Sequence, residues 1–139
     1  MDEHFGAPRR VEIEEELVLE GVLIAESFRV GAELVDVPLQ VTKIVRLEVE
    51  SAAAEQPQQW TVLDFAAEEG DAERLAEQLS ACLAPTGGWY VNYNTMAEAF
   101  VVFAGKVFRY PRGQVEGRRR AQDYARSIGI PEPQLDWQD

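Results

Sequence analysis

The stretch WYVNYNTMAEAFVVFAGKVFRY, residues 89–110, decides the fold, because three apolar and aromatic runs follow one another in it. The runs are residues 89–93, 100–103 and 106–110. Only Ala104 and Gly105 separate the last two runs, as a tight hairpin requires. Polar residues at 92, 94 and 95 favour a turn after the first run. The stretch therefore predicts a β-meander of three antiparallel strands.

Three further strands are predicted upstream. Residues 37–49 alternate apolar and polar side chains and are rich in β-branched residues, which predicts a long strand with one buried face. Ile44 breaks this phase and indicates either a bulge or a second apolar contact. Residues 60–65 (WTVLDF) form another candidate strand. Alternation from Val11 onward indicates an N-terminal strand, a helical spacing competes with it, and Gly21 weakens both interpretations. The polar stretch Ser51–Gln59 is predicted to be a loop and a linker candidate.

Two helices are predicted by apolar residues at helical spacing. The first follows Asp71, which is placed as its N-cap, and carries a stripe at residues 72, 75, 76, 79, 82 and 83. The second runs from Gln114 to Ile128, with residues 121, 124, 125 and 128 facing the core. Gly129 ends it, and Pro131 prevents its continuation. Leu135 and Trp137 are expected to fold back onto the body.

Together these elements predict an α+β fold, with a mostly antiparallel sheet and two helices packed on one face. The order of elements from residue 60 onward is partly ferredoxin-like, although no strand closes the pattern after the second helix. Residues 1–10 are predicted to be a flexible arm because they are polar and contain Gly6 and Pro8. Residues 11–139 are predicted to form a single domain.

The charge distribution favours a binding role. The chain carries a net charge of −12, yet seven of its thirteen basic residues fall within residues 106–126. This window predicts a cationic patch that binds an anion, a partner's acidic surface or the molecule's own carboxylates. The acidic body makes nucleic acid an unfavourable partner. No apolar run is long enough to cross a membrane, and the first residues do not resemble a signal peptide, so a cytoplasmic location is expected.

Few residues in the sequence are suited to catalysis or metal binding. His4 is the only histidine, and Cys82 lies on a helix stripe where a small core residue is expected. No metal, cofactor or catalytic residue is therefore predicted. Asp64 and Glu98 adjoin aromatic strands and leave one alternative open, an enzyme that uses a carboxylate or a tyrosine as acid or base.

The sequence favours a non-enzymatic binding or protein-interaction module that self-associates or binds another protein. Aromatic residues on both faces of the meander indicate that its second face is covered or meets another chain. The alternative is a domain that binds a small anionic metabolite through the arginine cluster. The predicted ligand- or partner-binding residues are Trp89, Tyr90, Tyr93, Arg109, Arg112, Arg118, Arg119 and Arg120.

Overall fold

Six strands and two α-helices build residues 18–139, which are the residues that a computed structural model of the chain describes. The predicted arm at residues 1–10 and the predicted strand positions 11–17 lie outside the described residues. The elements are β1 (Val18–Ile24), β2 (Gln40–Glu48), β3 (Gln59–Glu68), α1 (Ala72–Cys82), β4 (Val91–Asn94), β5 (Glu98–Phe103), β6 (Lys106–Pro111) and α2 (Val115–Ser127). Among these residues, no helix has the length and apolar content needed to span a membrane.

All six strands form one antiparallel sheet in the order β2-β3-β1-β4-β5-β6. The α+β class and the antiparallel sheet are therefore confirmed. The predicted hairpin at Ala104 and Gly105 joins β5 to β6. Strand β1 lies at the centre and pairs with both β3 and β4, so residues far apart in sequence share one row of the sheet.

One face of the sheet, here called the α1 face, is covered by helix α1. Leu19, Tyr93 and Phe100 point to this face and are almost completely buried. The predicted stripe of α1 packs on them, and the Tyr93 hydroxyl donates a 2.6 Å hydrogen bond to the carbonyl of Ala72. Cys82 is buried as predicted.

The opposite face, here called the α2 face, is covered by helix α2 over β5 and β6. Ala121 and Ala125 pack there, together with the C-terminal tail, residues 130–139. The prediction that both helices pack on one face is therefore wrong. Strand β5 is buried at every position from Ala99 to Phe103, so both of its faces need a covering layer. Ile128, predicted to face the core, is exposed at the end of α2.

Strand β2 forms where it was predicted and lies at an edge of the sheet. The prediction that one of its faces is buried is wrong. Eight of its nine residues are exposed. The bulge lies at Thr42, two residues before the predicted phase break, because the pairing with β3 shifts between Val41 and Lys43. The extra residue places Val41 and Leu47 on opposite faces, although both have odd numbers.

Candidate functional site

The predicted aromatic site residues lie on different faces of the sheet. Tyr93 is buried beneath α1 and stacks on Phe100 at a ring distance of 5.0 Å. Trp89 is buried against Trp60, 5.3 Å away. Tyr90 lies on the α2 face and packs against the tail. Tyr93 belongs to the core beneath α1, whereas Trp89 and Tyr90 also line the open groove described below.

Arg109 is held by carboxylates of the same molecule. Its guanidinium lies 2.9 Å from Glu98, also binds Glu73 of α1, and sits over the ring of Phe100. Hydrogen bonds from Arg109 to Glu98 and Glu73 raise its pKa above the ordinary value. Arg109 therefore connects α1 to the edge of the sheet, and its charge is already balanced.

The remaining arginines have separate environments. Arg112 donates hydrogen bonds to the carbonyls of Thr95 and Met96 in the turn between β4 and β5. Arg119 pairs with Glu116 one turn earlier on α2. Arg120 is exposed, and within residues 18–139 it has no ion pair. The predicted arginine cluster is therefore divided among several internal contacts.

Arg118 clamps the C-terminal tail onto α2. Its guanidinium donates a 2.7 Å hydrogen bond to the carbonyl of Trp137 and lies 2.7 Å from the Asp139 carboxylate. It also lies over the indole ring of Trp137, 5.0 Å from the centroid. The indole N–H in turn donates to the hydroxyl of Tyr110. The tail is thus fixed to the body by one arginine of the cluster.

Replacing Arg118 with methionine is expected to loosen the tail. The change retains an apolar stem but removes two charge-assisted hydrogen bonds, so we expect a loss of about 1–3 kcal/mol in unfolding free energy. Denaturant titration measures this loss, and hydrogen exchange of residues 130–139 measures the loosening. Arg120→Met removes the same charge from an exposed position and is expected to stay within ~0.5 kcal/mol of the wild type. Equal effects of both changes would contradict the clamp.

An open groove with a volume of about 980 Å³ lies on the α2 face. Helix α2 covers β5 and β6 but leaves β1 and β3 open, and Val22 is 46% exposed at the groove floor. Two rows of the sheet form this floor. The first contains Ala66, Glu20 and Asn94, and the second contains Asp64, Val22 and Asn92. The tail forms one wall.

The groove, named here the sheet groove, is acidic. Glu20, Asp64, Glu69 and Asp136 line it, and among residues 18–139 Arg112 is the only basic residue of the lining. Burial, reinforced by the carboxylate of Asp136, raises the pKa of Tyr90. The Tyr90 hydroxyl donates a hydrogen bond to the carbonyl of Gln134.

Sequence patterns gave no indication of a buried polar pair that supports the tail wall. The Gln56 side chain donates to the carbonyls of Gly87 and Gly88 at 2.8 and 3.0 Å. The Gln134 amide donates to the Gln56 side-chain oxygen at 2.9 Å and to the carbonyl of Ser51 at 2.8 Å. The predicted linker candidate, residues 51–59, is therefore fixed to the body by a buried side chain.

The two carboxylates considered for catalysis are not brought together. Asp64 lies in the sheet groove, whereas Glu98 pairs with Arg109 on the α1 face. Acid–base catalysis by a carboxylate pair needs both groups on one side of the substrate. Within residues 18–139, no group of three or more His, Cys, Asp or Glu side chains is arranged to hold a metal ion.

Comparison with known proteins gives no match to a protein-family model, a curated protein or a solved structure.

Proposed function

We propose that this protein is a non-enzymatic interaction module of the cytoplasm that self-associates through strand β2. The exposure of this edge strand carries the proposal, since Val41, Ile44 and Leu47 remain 48%, 64% and 45% exposed. A long edge strand with apolar side chains presents unpaired N–H and C=O groups to a second strand. Strand addition of this kind is a common mode of protein recognition.

The other edge of the sheet supports the choice of β2. Strand β6 has six residues against nine in β2, begins with Lys106 and ends with Pro111, which has no N–H group to donate. Charges and proline at an edge oppose strand pairing. Two copies joined antiparallel through β2 would leave only the two β6 edges free. Self-association would therefore stop at a symmetric dimer.

Charge supports a second copy as the partner. The whole chain carries −12, but β2 is close to neutral, because Lys43 stands against Glu48 and Arg46 pairs with Glu26 at 3.1 Å. Two acidic molecules therefore approach with the least repulsion along this strand. Added salt screens the remaining repulsion between the two bodies, so we expect the dimer to become tighter as ionic strength rises.

Analytical ultracentrifugation over a wide concentration range tests this proposal. We expect a monomer–dimer equilibrium that Ile44→Lys weakens at least about tenfold, the equivalent of ~1.4 kcal/mol. Ile44 is largely exposed in the monomer, so the variant is expected to fold normally. The sedimentation of the wild type should shift toward the dimer when salt is added.

Val107→Lys is the matched control, because Val107 is a partly exposed apolar residue on β6, the edge strand whose lysine and proline oppose strand pairing. It introduces the same charge and is expected to leave the equilibrium unchanged. A wild type that stays monomeric at the highest concentration would overturn the proposal. So would equal weakening by both variants, since that would place the interface elsewhere.

A further inference from the structure

The sheet groove has a charge pattern that self-association through β2 does not use. Glu20 pairs across the sheet with Ala66 and Asn94, while Asp64 pairs with Val22 in the adjacent row. Glu20 and Asp64 therefore form a diagonal pair on the same face, at a backbone spacing of roughly 7–8 Å. The two carboxylates flank the exposed side chain of Val22, so acidic groups lie beside an apolar contact point.

The positive charges near this floor neutralise only part of its negative charge. Arg112 lies at one end of the groove, where its guanidinium donates to the two turn carbonyls. Lys43 is opposite Asp64 on the edge strand, but the two side chains are not within ion-pair distance. Asp136 adds a further carboxylate from the tail wall. Like charges at this spacing repel one another, and a bound cation relieves that repulsion.

The groove also provides apolar contact area. Val22 is the exposed apolar side chain of its floor, and all three tryptophans of the chain, the largely buried Trp60, Trp89 and Trp137, also contribute to its lining. Polar side chains accompany them: Asn92 and Asn94 on the floor, and Gln138 on the tail. A surface of this kind suits a ligand that combines cationic groups with an aliphatic or aromatic side chain. Because the groove is open along the sheet rather than enclosed, an extended chain segment fits it better than a compact molecule.

From these features we infer that the sheet groove binds an extended basic peptide segment of another protein. Its Lys or Arg side chains lie between Glu20 and Asp64, and an apolar side chain contacts Val22 and the tryptophan edges. The inference is independent of self-association through β2. The Ile44→Lys variant is therefore expected to bind such a peptide as well as the wild type does.

Selection of a random-peptide library displayed on phage against the full chain tests the inference. We expect enriched sequences to combine a net positive charge with at least one apolar residue. Synthetic copies of them should change the intrinsic tryptophan fluorescence, because every tryptophan lines the groove. Their affinity should fall as salt is added, since the contacts are electrostatic.

A pair of double variants separates groove binding from general attraction to an acidic protein. Glu20→Gln with Asp64→Asn is expected to weaken binding on the order of tenfold or more. Glu33→Gln with Glu77→Gln removes the same charge from exposed positions outside the groove and is expected to change it little. Three results would overturn the inference. They are the absence of enrichment, enriched peptides without positive charge, and equal weakening by both double variants.

Discussion

Replacing Gly117 with alanine is expected to destabilise the protein by about 2–3 kcal/mol through overpacking, although the change favours the helix itself. In an exposed helix, alanine is more stable than glycine by about 1 kcal/mol. Gly117, however, lies in α2 where the helix docks on Tyr110, and an added Cβ would lie 2.6 Å from the Cγ of that ring. The helix would have to move away from the sheet. Chemical denaturation measures the loss.

Gly70→Ala provides the matched control, because nothing lies within 4 Å of a Cβ added there. This change is expected to be neutral or to stabilise the fold by about 0.4–1 kcal/mol. A double-mutant cycle with Tyr110→Gly tests the cause directly, because glycine removes both the Cβ and the Cγ that the added methyl group would meet. If the overlap with the Tyr110 side chain is responsible, Gly117→Ala should cost much less in the Tyr110→Gly background. An unchanged cost in that background would contradict the packing argument.

Local periodicity was sufficient to predict the elements of the fold. The three runs of the meander became β4, β5 and β6, and the stripe beginning at Ala72 became the buried side of α1. These signals depend on neighbours a few residues apart. Gly21 weakens the sequence-based prediction of the first strand, because glycine is unfavourable inside a strand. The structure instead places it where Tyr93 and Phe65 leave no room for a side chain.

The arrangement of these elements could not be predicted in the same way. The alternation in β2 is the pattern of a half-buried strand, but exposure at an edge depends on which strands pair with it. Likewise, the apolar residues on both faces of the meander indicated that its second face is covered or meets another chain, without assigning a helix to each face. These choices depend on contacts between residues distant in sequence, which a single sequence does not display.

The candidate site was even harder to predict, because it too depends on contacts between residues distant in sequence. Seven basic residues within residues 106–126 indicated a shared cationic patch. The carboxylates that pair with these arginines come from distant segments of the chain. Glu73 pairs with Arg109, and Asp139 pairs with Arg118. The acidic floor of the sheet groove was equally hidden, because Glu20 and Asp64 meet only through the pairing of β1 with β3.

The second large effect is expected from Gln56→Leu, which removes a buried amide at the base of the tail wall. Leucine fills a similar volume but can neither donate to Gly87 and Gly88 nor accept from the Ala53 amide and from Gln134. Each buried polar group left without a partner costs about 1–3 kcal/mol, so we expect a total of roughly 3–4 kcal/mol. Thermal or chemical unfolding measures this loss.

Gln58→Leu is the control in the same loop, because its side chain is exposed, and it is expected to stay within ~0.5 kcal/mol of the wild type. Wild-type stability in Gln56→Leu would contradict the role of the pair. The location of the loss matters as much as its size. Since Gln134 belongs to the tail, Gln56→Leu should increase hydrogen exchange in residues 130–139 and expose Trp137. Peptide binding in the sheet groove should weaken with it, because the groove loses its wall while Glu20 and Asp64 remain in place.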